Sequence, residues 1–101
     1  MTIPLRTRRD LKNAGHAMAV EAMEAFRLHM NSLSQAEMDD VEHIDRLTQR
    51  MLSAAESMAA EYRAAGIPEA WVGKFLLSFR RTVAAECRAL SFILRPVAGT
   101  A

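Results

Sequence analysis

Three stretches of the chain, residues 7–30, 35–65 and 68–94, set apolar side chains at alternating intervals of three and four, and only two short breaks separate them. Side chains on a helix come back to the same side about every 3.6 residues, so this spacing gathers the apolar residues on one face. Breaks as short as Asn31, Ser32 and Leu33, or Gly66 and Ile67, allow little more than a reversal of direction. The expectation is an all-α fold: a single domain spanning residues 1–101, built as an antiparallel three-helix bundle of long amphipathic helices.

The helix ends are marked by residues that satisfy exposed backbone groups. Thr7 with Asp10, and Ser34 with Glu37, have capping-box spacing, and Leu33 with Met38 flank the second start as a hydrophobic staple does. Gly66 suits a left-handed position after the second helix, Pro68 suits the first turn of the third, and Pro96 stops it. Interior Gly15 and Gly73 are the weak points, since glycine costs a helix about 1 kcal/mol relative to alanine.

The expected seams follow from the periodicity. The first helix presents Leu11, Gly15, Met18, Ala22, Phe26, Met30 and Leu33. The second presents Val41, Ile44, Thr48, Met51, Ala55, Met58, Tyr62 and Ala65, broadened by Leu52 and Ala59. The third presents Val72, Leu76, Phe79, Val83, Cys87, Leu90 and Leu94.

Composition narrows the function classes. A formal net charge of +1 on 101 residues gives the whole molecule no strong pull toward nucleic acid or anionic membrane. The single Cys87 has no intrachain partner for a disulfide, which fits a reducing compartment. No apolar run reaches the ~20 residues that span a bilayer, and Asp10, Lys12 and Asn13 interrupt the place where a leader needs its apolar stretch. A cytoplasmic protein without membrane contact is the expectation.

Few residues point to chemistry. His29 projects onto the apolar face of the first helix, while His16 and His43 lie on polar faces or flanks. Asp40 and His43 stand three apart, as in di-iron bundles, but those sites need two such motifs and two further inward carboxylates. Cys87 lies between Val83 and Leu90 on an apolar face, where a thiol is structural rather than nucleophilic. The sequence assigns no catalytic residue, metal or cofactor. A small helical enzyme is the third-ranked reading. Three-helix chorismate mutases bind a dicarboxylate through inward Arg and Lys; the seams here carry none, so an active site would have to form on dimerisation.

Charge and surplus apolar surface say more. Lys74, Arg81, Arg88 and Arg95 recur every seven residues and line one side of the third helix. The second helix is acidic, with Glu37, Asp39, Asp40, Glu42, Asp45, Glu56 and Glu61 against Arg46, Arg50 and Arg63. Leu77 and Phe92 fall among the basic positions, and Trp71, Phe75 and Ile93 widen the apolar arc on the other flank. Aromatic residues and Arg together are the composition of interface hot spots. Trp71, Phe75, Leu77, Arg81, Arg88 and Phe92 are therefore the expected partner-binding residues, and a homodimer with the third helix near its axis is expected to cover part of the arc.

Residues 88–97, Arg-Ala-Leu-Ser-Phe-Ile-Leu-Arg-Pro-Val, resemble the closing segment of small all-helical quorum-sensing antiactivators in their Ala-Leu pair, apolar run and following proline. The resemblance implies an often dimeric protein that sequesters a LuxR-type transcription regulator. The leading expectation is a non-enzymatic regulator that binds and sequesters or inhibits another protein. The alternative is a small nucleic-acid-binding protein using the basic stripe of the third helix, which the acidic second helix disfavours.

Overall fold

The computed structural model describes residues 5–94, with side chains as far as residue 89. The fold is all-α. Helix α1 runs over Arg8–Asn31, a single turn α2 over Gln35–Met38, α3 over Val41–Ala64 and α4 over Glu69–Leu94, with no strand among the described residues. The molecule is a rod with extents of 52 × 23 × 22 Å.

The caps form as their residue types dictate. Thr7 and Asp10 complete a capping box at α1, and Ser34 and Glu37 complete another at α2. At the end of α3, Gly66 takes a φ of 86°, its N–H donates to the Arg63 carbonyl, and the Ile67 N–H donates to the Tyr62 carbonyl. This pair of bonds is a Schellman ending, which only glycine enters without a steric penalty. It turns the chain sharply enough for Glu69 to start α4 and form a two-bond ion pair with Arg63.

One expected helix is broken. The stretch 35–65 is not continuous: α2 stops at Met38, Asp40 leaves the helical region at φ −79°, ψ 96°, and α3 starts afresh at Val41. The Asp40 carboxylate accepts from the backbone N–H groups of Glu42 and His43 at 3.1 and 3.3 Å. Asp side chains compete with the helix for backbone donors, and two in succession end α2 and cap α3. Val41, expected in the seam, is 79% exposed.

The three long helices are not equal partners. Helix α4 is central: α1 packs along it most extensively and α3 covers a second side, while α1 and α3 share only a small contact. Lys12 with Ser78 and His16 with Thr82 are both separated by 66 residues, so α1 and α4 run in the same direction and in register. Glu56 with Arg80 and Tyr62 with Phe75 step in opposite senses along the two chains, so α3 and α4 run antiparallel.

The core joins Leu11, Ala14, Ala19 and Met23 of α1 to Val72, Phe75, Phe79 and Val83 of α4, with Ala55 and Ala59 from α3. The buried line of α1 is rotated from the expected seam. Met18, Ala22 and Phe26 are only partly buried, because α1 approaches α4 over Ala14, Gly15 and Ala19. Small side chains allow the closest approach, and the Ser78 hydroxyl fastens it by donating to the Lys12 carbonyl at 2.7 Å. Phe75 meets Tyr62 edge to face at 5.0 Å between ring centres, a geometry worth about 0.5–1.5 kcal/mol beyond burial.

Candidate functional site

The in-register pairing of α1 and α4 leaves a groove of about 320 Å³ between their outer edges. Lys12, Asn13 and His16 form its α1 wall, and Lys74, Leu77, Ser78, Arg81 and Thr82 form its α4 wall. On α1, positions 12 and 13 stand four and three before 16; on α4, 77 and 78 stand three and four after 74 and four and three before 81. Each set therefore stands on one side of its helix. The hydrogen bond between Ser78 Oγ and the Lys12 carbonyl and the 3.0 Å contact between His16 Nδ1 and Thr82 Oγ1 tie the walls together. A second, more open depression continues to the first turn of α1 and adds Arg8 and Arg9 to Lys12, Asn13 and Lys74.

Five cations thus border one continuous surface: Arg8, Arg9, Lys12, Lys74 and Arg81. Among the described residues the ion pairs are Arg27–Glu86, Arg63–Glu69 and Arg80–Glu56, and none involves these five. Leu77 lies between Lys74 and Arg81 and is 40% exposed, so the surface offers an apolar contact amid positive charge. Val20, one turn beyond His16 on α1, adds a second exposed apolar side chain on that side.

The residues expected to bind a partner fall in different places. Leu77 and Arg81 are in the groove. Arg88 is exposed two turns farther along the same side of α4. Trp71 is half-buried and packs against the core from the other flank. Phe75 is not a surface residue at all: it is fully buried between α1 and α3, because α3 covers the flank of α4 where it emerges. The Phe92 side chain lies outside the described residues, as does Arg95. Lys12, Asn13 and His16 were not among the expected partner-binding residues. Their spacing puts them on one face, but only the register of α1 on α4 brings that face beside Leu77 and Arg81.

Cys87 is half-buried and packs against the core; burial first, then the Glu86 carboxylate, pushes its thiol up from the ordinary range. No helix is long and apolar enough to cross a membrane among the described residues. His29 is exposed rather than on the buried face, and its Nε2 lies 3.3 Å from Nε2 of His43.

No family model, curated protein or solved structure matches the chain.

Proposed function

We propose that this protein is a non-enzymatic binding module that takes an acidic segment of another protein into the α1–α4 groove and regulates that protein by occupying it. The observation that carries this reading is the set of five cations that have no carboxylate partner among the described residues, arranged around an exposed leucine. Positive charge of this kind steers an acidic partner and sets its orientation, while covering the exposed part of Leu77 contributes about 1 kcal/mol of burial. The hydroxyls of Ser78 and Thr82 and the Asn13 amide add polar groups to the walls. The resemblance of residues 88–97 to antiactivators supports a transcription regulator as the partner and the cytoplasm as the place.

The same reading includes self-association on the opposite flank of α4. Trp71 is the chain's one tryptophan and is left half-buried there, so a second copy would complete its burial and give the three long helices a dimeric bundle. Light scattering at tens of micromolar should return about twice the monomer mass. The monomer mass alone would remove the dimer from the reading without touching the groove.

A second reading, nucleic-acid binding, is favoured by the same five cations. Salt separates the two. Binding through phosphates weakens steeply, with a log–log slope of about −0.9 per phosphate contacted, whereas a mixed apolar and ionic protein contact weakens far less. Partner capture by the native chain and by a Leu77→Glu, Arg81→Glu double variant tests the site. Both substituted residues are exposed, so the variant should keep its helical circular dichroism and lose the partner. Undiminished capture by a folded variant would rule out the groove.

A further inference from the structure

We propose that His29 and His43 form a binding site for a divalent transition-metal ion, which clips the end of α1 to the start of α3 with water in its remaining coordination positions. His29 belongs to the last turn of α1 and His43 to the first turn of α3. Their Nε2 atoms are 3.3 Å apart, and the rings are tilted by 42° with centres 5.5 Å apart, so the nitrogen edges converge instead of the faces stacking. Two imidazoles on one tetrahedral zinc ion, each about 2.0–2.1 Å from it, hold their nitrogens about 3.3–3.4 Å apart. The nitrogen spacing of the metal-free pair already matches that of two ligands, and a modest rotation of the nearly head-on rings would turn both lone pairs onto one ion. Without metal, one Nε2–H donates to the other Nε2; for an ion to take both Nε2 lone pairs, the donor ring shifts its proton to its own Nδ1 through solvent, and both imidazoles stay neutral.

The surrounding chain favours the exchange in two further ways. His43 is held by its own backbone, because its N–H donates to the Asp40 carboxylate that caps α3. The segment from α2 into the first two turns of α3 also carries Glu37, Asp39, Asp40, Glu42 and Asp45, a concentration of negative charge at this end of the rod. Glu37 is engaged with the Ser34 backbone and hydroxyl, so it contributes field rather than a bond. Among the described residues no third side chain joins the pair as a ligand, which leaves water in the open positions. Nitrogen donors suit zinc, nickel and copper, with copper bound most tightly, and disfavour magnesium and calcium.

The test is calorimetric titration of the full chain with Zn²⁺ and Ni²⁺, and with Mg²⁺ as the contrast, combined with thermal unfolding at each metal concentration. One ion per chain is expected, with a midpoint of unfolding that rises with metal because the site exists only in the folded chain. His29→Ala and His43→Ala should each weaken binding about tenfold or more and remove the rise, while His16→Ala leaves both unchanged. Proton spectra give a readout on the unaltered chain: substoichiometric Ni²⁺ should broaden the ring signals of His29 and His43 and spare those of His16. Equal affinity in either single variant, broadening at His16 alone, or one ion per two chains with a doubled mass would overturn the clip.

Discussion

A Cβ placed on Gly15 would overlap the backbone carbonyl oxygen of Phe75, so α1 and α4 meet there backbone against backbone. The same Cβ would stand 3.1 Å from Ser78 Cβ, and Ser78 Oγ bonds to the Lys12 carbonyl beside it. This crossing fixes the separation of the two helices and hence the width of the groove on their outer side. Gly15→Ala must push the helices apart against backbone rather than a yielding side chain. The expected loss is about 1–3 kcal/mol in denaturant unfolding, from overpacking in excess of any gain in helix propensity. A stability equal to the native chain would show that the crossing is looser than the structure has it.

Gly73 gives the opposite expectation. A Cβ there meets nothing within 4 Å, and the residue is exposed inside α4. Gly73→Ala should therefore stabilise the protein by about 0.5–1 kcal/mol through helix propensity and a less flexible unfolded chain. The pair of glycine variants, measured by the same unfolding experiment, distinguishes a packing constraint from an accident of composition.

Phe75 and Leu77 are two residues apart and should behave in contrary ways. Phe75→Ala empties a fully buried site that touches Tyr62 and should cost about 3–5 kcal/mol. Leu77→Ala, at an exposed position, should change stability by no more than about 0.5 kcal/mol while weakening partner capture. Thermal unfolding of the two variants side by side reads the difference.

Acid should loosen the chain connections only at low pH. The Glu37 carboxyl is held below the ordinary carboxylate range mainly by the Ser34 backbone N–H and then by the Ser34 hydroxyl. The Glu69 carboxyl is held down mainly by its hydrogen bonds with Arg63. A group with a depressed folded value contributes its stability above the unfolded value and loses it as the pH falls through the folded one. The contribution of both carboxylates is thus complete at neutral pH and disappears only below the ordinary carboxylate range. Glu37→Gln and Glu69→Gln should each flatten the decline of stability between about pH 5 and pH 2 without altering its direction. An unchanged decline in both would remove these caps from the acid response.

Cys87 should be a slow thiol. Burial against the core, and secondly the neighbouring Glu86 carboxylate, raises its value, so little thiolate is present at neutral pH. Reaction with a disulfide reagent should be slower than that of free cysteine and should accelerate in denaturant. A rate matching free cysteine in the folded protein would contradict the packing given to it.

What the sequence made legible was the local chemistry. Thr7, Ser34 and Gly66 each end or begin a helix where their side chains, or the lack of one, satisfy the backbone. The break at Asp39 and Asp40 was hidden because Met38, Val41 and Ile44 keep helical spacing across it, and periodicity outweighed the competing carboxylates. Leu11 and Gly15 are buried as expected, but the rest of the buried face of α1 was misplaced by about one residue, since apolar bulk points to Met18 and Phe26 whereas close approach selects Ala14 and Ala19. The groove was legible by half. Lys74, Leu77 and Arg81 share a helix face that can be read directly, but Lys12 and His16 join them only through the register set at Gly15.

The most direct test of the binding surface is a backbone amide spectrum of the chain titrated with a Glu-rich peptide carrying one leucine. Lys12, Asn13, His16, Lys74, Leu77, Ser78, Arg81 and Thr82 line the groove, and their amide signals should shift together and saturate. Lys12→Glu with Arg81→Glu should abolish the shifts while leaving the rest of the spectrum in place. Shifts confined to α3, or none at concentrations that saturate any specific contact, would contradict an acidic partner in the α1–α4 groove.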